Sequence, residues 1–162
     1  MIKASIAALA ASAAVAFAIH AQADDGISTA EMTGKWGSAT IEKDDDGSVK
    51  LSSPGGKNTP AALASKEFAV TDTASNWTLS FSAKGDVYLN ALLSNKKDPA
   101  AKSERQDILP KTKLGPEWKP YSVTFKIPEG TVKSSLSVFI WEDKGSAEIK
   151  DLKLAPATPE AK

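Results

Sequence analysis

The chain has 162 residues, 41% hydrophobic and 25% charged, with 20 Lys plus Arg balancing 20 Asp plus Glu. That suits one globular domain and leaves no room for two large ones. Cysteine is absent and the one histidine, His20, falls in a leader-like segment, which excludes disulfides, thiolate or imidazole metal ligands and Cys-His or Ser-His-Asp nucleophiles from the rest of the chain. The neutral balance also lacks the basic excess that phosphate neutralisation requires, which argues against a nucleic-acid partner.

Residues 1–23 read as a secretory signal. Lys3 gives the positive start, residues 6–19 form an Ala-rich apolar run, and Ala21-Gln22-Ala23 is an A-x-A cleavage site followed by Asp24-Asp25. The run is too short for a good membrane span and no second one follows, so the expected product is exported, periplasmic or extracellular, with no membrane span. Residues 24–33 form an N-terminal segment, and residues 34–154 are expected to be the domain proper.

From there apolar and polar residues alternate. Strands are expected over residues 36–42, 48–52, 66–71, 77–83, 86–92, 121–127, 135–140 and 147–154. Turn signals separate them, including Asp46-Gly47, Pro54-Gly55-Gly56, Gly85-Asp86 and Lys144-Gly145. The acidic run Asp44-Asp45-Asp46-Gly47 fails the EF-hand pattern, because its glycine is fourth instead of sixth. It reads as a hairpin turn. Residues 95–113, polar and containing Pro99 and Pro110, read as a long loop with one helical turn near residues 100–106, a place where specificity tends to sit. Residues 155–162 have linker composition and read as a disordered tail. Some eight short strands without crossover helices predict an all-β fold, an antiparallel β-sandwich of jelly-roll type.

Period two also sorts the aromatic residues. If Leu136, Val138 and Ile140 face the core, Phe139 and Trp141 project from the other side of their strand; likewise Val87, Leu89 and Ala91 oppose Tyr88 and Asn90. A pyranose ring offers a flat C–H face to an aromatic plane and hydroxyls to amides and carboxylates. The candidate ligand-binding set is therefore Trp141, Tyr88, Asn90 and Glu142, the last in the polar turn Glu142-Asp143 at the rim. The alternative is that Trp141 and Tyr88 are covered by residues 95–113 or by the N-terminal segment and extend the core, with Glu142-Asp143 an ordinary solvated turn. Phe139, lacking a polar handle, reads as packing; Trp36, beside Gly34 and Gly37 in a first strand, could serve either role, with packing favoured. Trp77, Trp118 and Tyr121, at strand starts, read as rings closing the ends of the core.

The order of Trp36, Ala61-Ala62-Leu63, Trp77-Thr78-Leu79-Ser80-Phe81, Trp118-Lys119-Pro120-Tyr121-Ser122-Val123-Thr124-Phe125 and the closing Gly145-Ser146-Ala147-Glu148-Ile149-Lys150-Asp151-Leu152 resembles secreted carbohydrate-binding modules of the galactose-binding-domain-like jelly-roll type, similar to cellulose- and xylan-binding modules. The resemblance implies a non-catalytic module whose partner is a polysaccharide or other glycan. It also implies a structural calcium held through the closing strand. The family has two acidic residues there, this chain has Lys150-Asp151, so only Asp151 carries over, with Glu31 or Asp25 as further oxygens. Two other readings stand beside it: a structural or protein-interaction protein of the bacterial envelope, and a small polysaccharide hydrolase or lyase. No carboxylate cluster falls on an expected strand, and Arg105 is the sole arginine, so catalysis and an Arg-rich acidic-sugar cleft have no sequence support.

Overall fold

The computed structural model describes residues 26–157; the expected signal segment and the last five residues of the expected tail lie outside the described residues. The strands are β1 (Ile27–Ser28), β2 (Met32–Gly37), β3 (Thr40–Lys43), β4 (Val49–Pro54), β5 (Pro60–Ser65), β6 (Phe68–Ala69), β7 (Asn76–Gly85), β8 (Tyr88–Lys96), β9 (Glu104–Lys113), β10 (Lys119–Lys126), β11 (Lys133–Trp141) and β12 (Lys144–Pro156). The one helical element among the described residues is a 3-10 turn, Thr29–Glu31. No helix there is long and apolar enough to cross a membrane.

Two antiparallel sheets face each other. One runs β10-β7-β12-β4-β3 with β1 added on β12; the other runs β2-β5-β11-β8-β9 with β6 added on β11. This is the expected β-sandwich. Period-two burial makes the core between the sheets: Trp77, Leu79, Phe81 and Ala83 of β7 face Leu89, Ala91 and Leu93 of β8 and Leu136, Val138 and Ile140 of β11 in one cluster. β12 breaks the alternation once. Ile149 and Leu152 both point inward because Lys150-Asp151 bulges, with Asp151 at φ +53, and β7 loses one step of register there.

The structure departs from the sequence reading in four places. Residues 95–113 are not a long loop. Only the stretch between β8 and β9 is irregular, with a tight turn at Ala101 N–H to the Asp98 carbonyl (2.9 Å), and β9 is a full edge strand. Its polar composition reflects exposure along an edge, where Pro110 is tolerated, while two register shifts against β8 let Ile108 and Leu109 both reach the core. The N-terminal segment belongs to the sandwich, since Ile27 pairs with Leu154 and Met32 is fully buried. At the other end, Ala155 and Pro156 complete β12 opposite Thr78 and Trp77. Lastly, Trp77 is a core ring as expected, but Trp118 is only half-buried, with Lys84 and Lys150 at 5.0 and 4.4 Å from its ring centre.

Two exposed acids brace turns. Asp72 Oδ1 accepts the N–H groups of Ala74 (2.8 Å) and Ser75 (3.0 Å), and Asp46 Oδ1 accepts that of Ser48 (2.9 Å) in the β3–β4 hairpin. These bonds, to Ser75 and Ser48 first, hold both carboxyls below the usual 3.8. A carboxyl depressed in the folded state stabilises above its unfolded pKa, and that contribution is lost as pH falls through the folded value. The melting temperature is therefore expected to decline below about pH 4, with a shallower decline in the double variant Asp46→Asn/Asp72→Asn. An identical pH profile in that variant would remove these turns from the account.

Candidate functional site

The outer face of the sheet β2-β5-β11-β8-β9 is open. Across it, Trp36 pairs with Ala62, Ala62 with Phe139, and Phe139 with Asn90, forming one row from the β2 edge to the fourth strand. The methyl of Ala62 is small enough for the rings on either side to meet above it, with Trp36 and Phe139 centroids 5.9 Å apart and tilted by 37°. Ala62, Phe139 and Leu92 form a small buried cluster on this face, separate from the main core. Trp36 Nε1 donates to Ser137 Oγ at 3.3 Å, which ties the indole to the sheet. Gly37 ends that strand at φ +74, where a Cβ would lie 1.9 Å from the Pro60 carbonyl oxygen, so only glycine lets the chain turn off here.

One step along, Trp141 pairs with Pro60, and Tyr88 with Lys113. Trp141, Phe139, Asn90, Arg105 and Lys111 line a groove of about 240 Å³. Trp141 is 41% exposed and Trp36 37%, whereas Phe139 is 4% exposed and serves as the groove floor. Lys111 and Lys113 hold their ammonium groups 4.5 and 4.8 Å from the Tyr88 ring centre, and the Arg105 guanidinium lies 5.8 Å from that of Phe139. Tyr88 is anchored through its backbone N–H, which donates to Asp143 Oδ2 at 3.1 Å.

Of the four residues the sequence singled out, Trp141, Tyr88 and Asn90 share this face; Trp141 is open to solvent, while Lys111 and Lys113 of β9 lie over the Tyr88 ring. Glu142 departs from the expectation. It sits at φ +61 past the end of β11, and its Oε1 accepts the Asn58 N–H at 2.8 Å, so its carboxylate braces the β4–β5 loop instead of lining the groove. Period two could not show this, because the alternation stops where the strand ends. Arg105 and Lys111 are additions from the structure, and Trp36, open to either role in the sequence, joins this face. Trp36 carried a usable signal, standing beside Gly37 on a strand, but Arg105 and Lys111 lay in a stretch read as loop.

The expected calcium position lies elsewhere, in a cleft of about 480 Å³ where Asp151 at the β12 bulge approaches Glu31 and the Asp46-Gly47 turn. Several of the side-chain oxygens around it are assigned to hydrogen bonds, and Asp25, the other expected donor, lies outside the described residues. Glu31 Oε2 is taken by the N–H and hydroxyl of Ser28 (2.8 and 3.1 Å), Asp46 Oδ1 by Ser48, and Thr29 Oγ1 by the Leu152 N–H (2.8 Å). Among the described residues no three acidic or histidine side chains are grouped to share a metal, whereas calcium takes six to eight oxygens. Chelation with EDTA is accordingly expected to leave the melting temperature unchanged, and a drop of several degrees reversed by calcium would overturn that assignment.

No family model and no curated protein matches the chain. Solved structures do. A family 29 carbohydrate-binding module superposes with a TM-score of 0.51 at 17% identity over 74% of this chain and 73% of that one. A structure described as a family 4 module gives 0.51 at 17% over 75% and 79%. The enzymatically active domain of a tailspike protein from bacteriophage CBA120 gives 0.56 at 17% over 80% of this chain, which spans only 20% of that protein. Two antiparallel sheets with this order, matched along most of their length by such modules, make the chain an antiparallel β-sandwich whose fold is similar to theirs.

Proposed function

We propose that this chain is an exported, non-catalytic polysaccharide-binding module, and that the sugar lies across the outer face of the β2-β5-β11-β8-β9 sheet. The observation that carries this reading is the row of rings at Trp36, Phe139 and Trp141, two of them exposed, laid over a sheet that is otherwise polar at its edge. Exposed rings on one face cost hydration unless an apolar surface covers them, and the C–H face of a pyranose does so without desolvating charge. Trp141 and Trp36 serve as stacking planes, Tyr88 as a side wall and the Asn90 amide as a partner for hydroxyls. Glu142 acts by holding the β4–β5 loop at the rim.

The absence of a carboxylate pair supports binding without turnover. Glycoside cleavage uses two carboxyl groups about 5 to 10 Å apart across the sugar, and the residues that line the groove include none. Asp107, on the same face opposite Leu92, is tied to Arg105. The likeness to modules whose structures include one complexed with mannohexaose, matched at a TM-score of 0.53 and 15% identity, supports the same class of ligand. The test is retention on a panel of soluble and insoluble polysaccharides, with reducing-end release followed in parallel. Retention without release supports the module; no retention on any polymer sinks it, and release would make it an enzyme.

A further inference from the structure

The chain as a whole is neutral, yet its groove is not. Arg105 and Lys111 of the single edge strand β9 line it, and Lys113 of the same strand stands beside it; Arg105 reaches the ring of Phe139 and the two lysines that of Tyr88. Lys111 forms no ion pair among the described residues. Lys113 donates to the Asp86 backbone carbonyl at 2.7 Å, which occupies its donor without neutralising its charge. Two ammonium groups within 5 Å of one ring centre repel each other, and an anion placed between them relieves that repulsion. Arg105 does have a carboxylate, with Nε and Nη2 at 2.8 and 2.6 Å from Asp107 Oδ1, but that pair is about 60% exposed at both ends. An exposed pair of this kind is weak and exchangeable, and it leaves the rest of the guanidinium fork free.

Donor and acceptor chemistry points the same way. Neutral sugar hydroxyls both donate and accept, and a site built for them supplies acceptors as well as donors. Among the groove-lining side chains the charged ones are Arg105 and Lys111, which only donate, and Asn90 alone offers an oxygen acceptor; the Asp107 carboxylate, tied to Arg105, and the Tyr88 hydroxyl stand on the same face outside that lining.

We propose that the occupant of this groove is an anionic polysaccharide, whose carboxylate or sulfate groups sit between Lys111, Lys113 and Arg105 while its rings cover Trp141 and Phe139. The inference rests on the glycan-binding reading above and names its substrate class. Asp107 then acts as an internal competitor that holds Arg105 in the free protein.

The experiment is titration of the protein with polygalacturonate and alginate (carboxylates), dextran sulfate (sulfate), xylan and glucomannan (neutral) and double-stranded DNA, at low and high salt. The expected result is that a carboxylated or sulfated polymer binds about tenfold or more tightly than the neutral ones and loses about fivefold in affinity between 20 and 300 mM salt, as screened ion contacts do. Which anionic arm responds identifies the acid group. Lys111→Gln should weaken that binding about threefold to fivefold, the range of one exposed ion pair. Asp107→Asn should tighten it about twofold by releasing Arg105, an opposite sign that a merely structural effect would not produce. Equal, salt-independent binding of neutral and acidic polymers would overturn the acidic occupant and leave the glycan-binding reading intact. DNA bound as tightly as the acidic sugars would overturn it as plain polyanion attraction, and no binding to any polymer would remove both readings together.

Discussion

Trp141→Ala is expected to abolish measurable retention on whichever polysaccharide the protein binds, while the melting temperature stays within about 2 °C of wild type. The ring is 41% exposed at the end of β11 and lines the groove beside Phe139 and Asn90. Stacking on a sugar would remove roughly 80 Å² of apolar surface from water, worth ~2 kcal/mol at ~25 cal/mol per Å². That is about thirtyfold in Kd, enough to carry a weak sugar complex out of the measurable range. In the free protein the ring lies outside both buried clusters, so its removal should cost little stability. Affinity electrophoresis beside a thermal melt decides the matter. Retention unchanged in the variant would move the sugar off this face, and a large fall in melting temperature would make Trp141 a packing residue.

Trp77→Ala should do the reverse, lowering the melting temperature by about 12 to 20 °C. Trp77 is fully buried at the head of β7, its ring 6.2 Å from that of Phe68, and its Nε1 donates to the Asp72 carbonyl at 2.8 Å. Losing a buried indole costs about 4 kcal/mol through lost burial and the cavity left behind, and for a domain of this size each kcal/mol moves the midpoint by roughly 3 to 5 °C. Trp77→Phe, which keeps most of the volume and drops the hydrogen bond, should lose about half as much. Calorimetry on both variants checks the ordering. A Trp77→Ala protein that melts like wild type would mean that the sandwich does not depend on that ring to join β7 to the sheet carrying β6.

The contrast between these two tryptophans shows how far local pattern reaches. Trp77 and Trp141 are the same residue type on strands of the same alternation, and counting by twos from Leu79 or Ile140 puts one inside and the other outside. Phe139 shows the limit. Counting puts it outside correctly, yet it is 4% exposed, because Ala62, Leu92 and neighbouring rings close over it. The role of Trp36 is open to local pattern for the same reason, since its neighbours come from β5 and β11, residues distant in the chain.

By itself the sequence determined the fold class, the faces of β7, β8, β11 and most of β12, the turn at Asp46-Gly47, and the placing of Trp141, Tyr88 and Asn90 on one outer face. All of these follow from a period of two and from turn chemistry, which act over a few residues. Only the tertiary structure decided that β9 is a strand, that Arg105 and Lys111 of that strand and Trp36 of β2 share one face with Phe139, and that the carboxylates of Glu142 and Glu31 are taken by backbone and hydroxyl donors. Those outcomes depend on which strands become neighbours and on bulges that shift their register. Burial of two sheets against each other sets both, across separations that no local pattern spans.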